Sequence, residues 1–121
     1  MAYDNNNIFA KIIRGEIPCD KVYEDDHVIA FKDIRPRAKV HVLVLPKSPY
    51  ISLDDFGAKA PSEEVKAFFS AVSKIARDLG VEEDGYRVIA NHKAFSGQEV
   101  DHFHVHILGG EPLGPLVAIT R

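Results

Sequence analysis

Three of the six histidines fall on alternate positions, His102, His104 and His106, with Phe103, Val105, Ile107 and Leu108 filling the rest of the run. On a β-strand alternate side chains share a face, so three imidazoles would line one side while Phe103, Val105 and Ile107 turn to a core. Successive histidines would then sit about 6.5–7 Å apart, and the outer two about 13 Å apart. Imidazole serves as metal ligand, general acid or base, or nucleophile. A His-x-His pair can chelate zinc, and His41 could add a third ligand from a neighbouring strand. The outer pair is too far apart to share one ion, and no His-Glu-x-x-His or Cys-x-x-Cys completes a set. A solvated row of histidines without a role is the other plain reading. The third is phosphorus chemistry. A central imidazole, oriented through its second nitrogen, attacks an electrophilic phosphorus while its neighbours hold phosphate oxygens or protonate the leaving group. With a reference pKa of ~6.5, imidazole can do this near neutrality.

These histidines need a sheet to hold them. Val40 to Leu45 reads as a strand closed by Pro46, and Gly85 to Asn91 as another. Val22 to Glu24 and Val28 to Phe31 read as a hairpin turning at Glu24-Asp25-Asp26, and the histidine strand runs from about Asp101 to Leu108. A short helix begins after Asn6 or Asn7 with Ile8, Phe9, Ile12 and Ile13 on one side, and Gly15 ends it. The long helix spans about Ser62 to Leu79, with Val65, Phe68, Phe69, Val72, Ile75, Ala76 and Leu79 in one stripe. Ser62 is its expected N-cap and Gly80 its C′ residue. The stretch from Pro46 to Pro61 is expected to be a surface loop with a short helical turn. The fold class expected is α+β: an antiparallel sheet of about five strands with one long and one short helix.

The 121 residues suit a single domain over positions 1–121. Fifteen basic against eighteen acidic residues give a net charge of −3, which excludes a binder dominated by nucleic-acid phosphates. The lone Cys19 excludes an intramolecular disulfide and a Cys-only zinc site, and fits a reducing compartment. No signal-peptide pattern and no run of ~18 apolar residues is present, so the expectation is a cytoplasmic protein without a membrane segment. Gly-x-Ser-x-Gly, P-loop and dinucleotide-binding glycine patterns are absent.

His102 to Leu108 resembles the His-φ-His-φ-His-φ-φ signature (φ apolar) of the histidine triad (HIT) superfamily, with Gly97-Gln98 upstream. Ile8 to Pro18, Glu24-Asp25-Asp26, Ala30 to Ile34, His41 to Lys47 and Asp78-Leu79-Gly80 resemble its Hint-like branch in order and spacing. The resemblance implies a purine nucleoside phosphoramidase acting at the α-phosphate through a nucleotidyl-histidine intermediate. His104 would be the nucleophile, His106 would contact the phosphate and assist the leaving group, and His102 and His41 would orient the set. Asp33 would bind the ribose, and Ile8, Phe9, Ile12, Phe31 and Ile34 would form the base pocket. Asn91 would lie near ribose and phosphate, and Gly97 and Gln98 would bring backbone and amide groups to the phosphate. Glu99 stands where relatives often carry Ser or Thr, and its side chain is expected to turn away from the phosphate. Asn7 and Ala10 stand where some relatives carry a zinc-binding Cys pair, so no metal and no cofactor is implied. The branch forms homodimers through joined sheets, and Phe68 and Phe69 beside an edge strand offer a possible self-complementary patch. The tail from Glu111 to Arg121 could reach a partner's site. A dinucleoside polyphosphate hydrolase and a nucleotide-binding regulatory dimer are the alternatives. A nucleotidylyl transferase is disfavoured, because that branch carries Gln where this chain has His106.

Overall fold

Each strand residue belongs to one of two faces, and the computed structural model, which describes residues 2–117, shows both faces covered. The chain runs α1 (Ile8–Ile13), β1 (Lys21–Glu24), β2 (Val28–Lys32), β3 (Val40–Pro46), α2 (Leu53–Lys59), α3 (Ser62–Asp78), β4 (Tyr86–Ile89), α4 (Lys93–Ser96) and β5 (Val105–Gly109). The five strands form one sheet in the order β1-β2-β3-β5-β4, antiparallel at every step. The architecture is therefore the expected α+β sheet. It carries four helices among the described residues: α2 is the helical turn expected between Pro46 and Pro61, and the four-residue α4 is too short to show a helical period.

Val28 and Ala30 of β2, Val42 and Val44 of β3, and Val105 and Ile107 of β5 face α3, which buries Phe68, Ala71, Val72, Ile75 and Ala76. Phe56 of α2 stacks on Phe103 there, ring centroids 4.8 Å apart. The alternate residues Ile29, Phe31, Leu43 and Leu45 pack against Phe9 and Ile12 of α1 on the other face. Asn7 caps α1 as predicted, its side chain accepting Ala10 N–H at 2.9 Å. The stripe on α3 is as read, but Ser62 is the first helical residue, Pro61 takes the cap position, and no side-chain cap bond forms. At the far end Gly80 adopts φ 76°, and Gly80 and Val81 N–H bond back to Arg77 and Ala76 carbonyls, a paired C-terminal closure that favours glycine. Phe68 is fully buried in the core, so it is not part of a surface patch, whereas Phe69 is half exposed.

The histidine strand begins at Val105, not near Asp101. Val44 pairs with Val105, and Pro46, two residues on, has no N–H to extend the ladder. Its carbonyl accepts the His102 ring instead, at 2.7 Å. His102 and His104 thus precede the strand and are buried rather than open, 0% and 7% exposed, while His106 is partly buried.

Candidate active site

Antiparallel register brings the catalytic candidates together. His41 lies opposite Leu108 and His106 opposite Leu43, so the two histidines are diagonal neighbours on the α1 side of β3 and β5. His41 Nε2 and His106 Nδ1 are 2.9 Å apart. His104, one residue ahead of β5, meets His106 with ring centroids 5.1 Å apart and meets Phe9 of α1 edge-on at 4.9 Å.

The partners of each ring fix where its hydrogen sits. His104 Nδ1 lies 2.8 Å from the His102 carbonyl, which can only accept, so Nδ1 carries the hydrogen and Nε2 holds a lone pair. His41 Nδ1 accepts Arg37 backbone N–H at 3.0 Å, so the His41 hydrogen sits on Nε2 and is donated to His106 Nδ1. His106 is therefore left with Nε2–H. The adjacent rings have opposite roles, His104 offering an electron pair and His106 a proton. Burial is the chief cause holding all four imidazoles neutral: it pushes His102 and His106 down to about 4 and lowers His41 and His104 from 6.5. Asp33 opposes this at His41, His104 and His106 but does not prevail.

A cavity of about 680 Å³ opens over this pair. It is lined by His41, His104 and His106, by Ile8, Phe9 and Ile12 from α1, and by Phe31, Asp33 and Ile34 at the end of β2. Asn91, Gly97 and Glu99 line its far side. Glu99 is among the cavity-lining residues, and its carboxylate acts to raise the His104 pKa against the effect of burial. Ile34 stands 90% exposed at the mouth. Two of the expected residues are not among the lining. His102 is enclosed behind His104, its Nε2–H donating to Pro46 and its Nδ1 facing Tyr3. Gln98 donates its amide to the Ile51 and Val100 carbonyls and accepts Lys93 N–H. Gly97 and Gln98 N–H are also spent, on Ala94 and Lys93 carbonyls, so neither residue turns a donor to the cavity.

Sequence reasoning missed Lys32, Arg35 and Arg37, three cations on the lining. Their nearness to Asp33 in sequence was the available signal. Asp33, His41 and His106 also hold three ligand atoms within 4.8 Å of one another, a two-imidazole, one-carboxylate set of the kind that binds divalent transition ions. A hydrogen bond between His41 Nε2 and His106 Nδ1 joins two of these three residues.

A family model, the HIT domain, matches residues 14–113. The purine nucleoside phosphoramidase of Escherichia coli K12 is 47% identical over 111 residues, 92% of each chain. An uncharacterised 13.2 kDa HIT-like protein of Azospirillum brasilense is 49% identical over 115 residues, 95% of this chain and 94% of that one. Among solved structures, a HIT family hydrolase from Clostridium thermocellum superposes with TM-score 0.87 at 41% identity, covering 95% of this chain and 99% of that one. A histidine triad protein from Clostridium difficile gives TM-score 0.83 at 44% identity over 94% and 98% of the two chains.

Proposed function

The chain belongs to the HIT domain family, and from that membership we propose that it hydrolyses the P–N bond of purine nucleoside phosphoramidates through a nucleotidyl-histidine intermediate. One observation carries the reading: His104 and His106 are neutral neighbours with their hydrogens on opposite ring nitrogens. His104 Nε2 attacks the α-phosphorus, a P–N bond forms to His104, and the bond to the departing nitrogen breaks. That nitrogen takes the proton of His106 Nε2 and leaves as an amine. The deprotonated His41–His106 pair then lies beside the positive charge of nucleotidylated His104, which offsets it. Water next attacks the phosphorus, returns its proton to His106, and releases the nucleotide and His104.

The rest of the cavity suits such a substrate. Ile8, Phe9, Ile12 and Phe31 give an apolar slot for a purine, with Ile34 at its edge. Asp33 accepts Arg35 N–H with Oδ1, and its remaining lone pairs can take ribose hydroxyls. With Gly97 and Gln98 spent internally, Glu99 N–H is the candidate donor to the phosphate, beside Asn91. A second reading, a dinucleoside polyphosphate hydrolase, is favoured by Lys32, Arg35 and Arg37 at the cavity, which suit a polyphosphate leaving group. We also expect a homodimer joined at the β4 edge, where Tyr86 and Val88 are exposed. No helix among the described residues is long and apolar enough to cross a membrane.

The test is single-turnover hydrolysis of a purine nucleoside 5′-phosphoramidate in excess EDTA, with intact-mass detection of an adduct. The expected result is turnover and a nucleotidyl adduct in the native chain, both absent in His104→Ala. Turnover abolished by EDTA would transfer the chemistry to a metal held by Asp33, His41 and His106. Activity only on dinucleoside polyphosphates would select the second reading.

A further inference from the structure

Tyr3 is 99 positions from His102 in the chain, yet its hydroxyl sits 2.5 Å from His102 Nδ1 and the two rings meet edge-on, centroids 5.6 Å apart. His102 Nε2 faces the Pro46 carbonyl and must carry the ring hydrogen, so Nδ1 accepts from the Tyr3 hydroxyl. Burial raises the phenol above its ordinary value and keeps it a donor. The residues between Tyr3 and α1 are folded to make this contact. Asp4 accepts Asn6 N–H through its side chain, and its carbonyl accepts both Asn7 N–H and Asn7 Nδ2. Arg14, just past α1, donates to the Asn5 carbonyl at 2.8 Å. The polar run Asp4 to Asn7 is thus a tight turn clasped to the end of α1, and it directs Tyr3 across to His102. Tyr3 lies outside residues 14–113, the span that the HIT family model matches.

From this geometry we propose that Tyr3 is a positioning residue: by holding His102 in one tautomer and place, it fixes the carbonyl that orients His104. The connection is the peptide unit between His102 and Phe103. Its carbonyl accepts His104 Nδ1–H at 2.8 Å, and its N–H donates to the Tyr50 carbonyl at 2.7 Å. The His102 ring, gripped by Pro46 at one edge and Tyr3 at the other, sets the direction in which that carbonyl points. Without the phenol, Nδ1 becomes a buried acceptor lacking a donor. The ring then turns or changes tautomer to find one, and the carbonyl moves with it. The inference rests on the proposed role of His104 as nucleophile, and it concerns orientation, not contact with substrate.

Tyr3→Phe keeps the ring and removes only the hydroxyl. The expected result is a kcat about fivefold lower with KM within about twofold, the equivalent of one lost hydrogen bond expressed after binding. Long-range proton–nitrogen NMR of the histidines should show His102 protonated only at Nε2 in the native chain, and a shifted or mixed pattern in the variant, with the His104 Nδ1 signal moving as well. Asp4→Ala, which opens the turn without touching His102, is expected to shift the same signals in the same sense. The proposal is overturned if the His102 and His104 signals stay in place in Tyr3→Phe, or if kcat is unchanged. A fall in thermal stability alone would make Tyr3 a simple tie. The NMR arm needs no substrate. Absence of turnover in the native chain would therefore sink the phosphoramidase reading while leaving the positioning role to be decided by the spectra.

Discussion

His106 is the residue whose loss should depend most on what is leaving. An amine must gain a proton to depart, and in the proposed mechanism His106 Nε2–H would supply it. In His106→Asn we expect kcat to fall about 10²–10⁴-fold on amine-leaving substrates and far less on a nucleoside 5′-phosphofluoridate, whose fluoride leaves unaided. Equal losses on both would give His106 a binding role only. His104 is held neutral below its usual range by burial, so activity should persist below pH 6.5 and decline only on further acidification. A kcat/KM acid limb centred at or above 6.5 would contradict this. His104 and His106 were legible in the sequence because residue type and alternate spacing are local signals, whereas His41, 65 positions before His106, was joined to them by the family resemblance. Arg37 and Tyr3 were not legible, since one acts through a backbone N–H and the other from 99 positions away.

At the level of elements, the Gln98 side chain ties the start of α4 to the loop at Ile51. Lys93 has a left-handed backbone, φ 61°, and Gln98 pins it by accepting its N–H at 2.9 Å while reaching the Ile51 carbonyl at 2.7 Å. A left-handed conformation costs a residue other than glycine about 1–2 kcal/mol, so the clamp offsets a built-in strain. Gln98→Ala should therefore release Ser96, Gly97 and Glu99 from the cavity wall and raise KM more than it lowers kcat. Adding Lys93→Gly should recover part of the loss, because glycine adopts that conformation without penalty. No recovery in the double variant would mean that the Ile51 bond alone matters. Gln98 was expected at the phosphate from the family resemblance. Its actual partners belong to another loop, which local spacing cannot reveal. The stripe on α3 was legible for the opposite reason: seventeen residues give several turns of repeated signal. The start of β5 was hidden, being decided by a missing N–H on Pro46 of the neighbouring strand.

For the whole molecule, burying neutral histidines ties stability to pH. The unfolded chain binds protons at His102 and His106 near 6.5, the folded chain only near 4. Protons thus favour the unfolded state between those values, and this contribution is intact above 6.5 and lost progressively toward pH 4. Thermal melts should show Tm falling through that window, with a shallower fall in His102→Asn. An equal slope in the variant would remove His102 from the account. If the β4 edges join two copies, Val88→Lys should yield a monomer in sedimentation, because a lysine on an edge strand opposes strand pairing. The order β1-β2-β3-β5-β4 has a consequence in time. His41 and His106 are 65 residues apart, and meet only when the two central strands zip together, a slow, non-local event in refolding. A slip of one residue there would send His106 toward α3 and turn Ile107 to the cavity. Recovery of activity during refolding should therefore trail the early helical signal and keep pace with the pairing of β3 and β5.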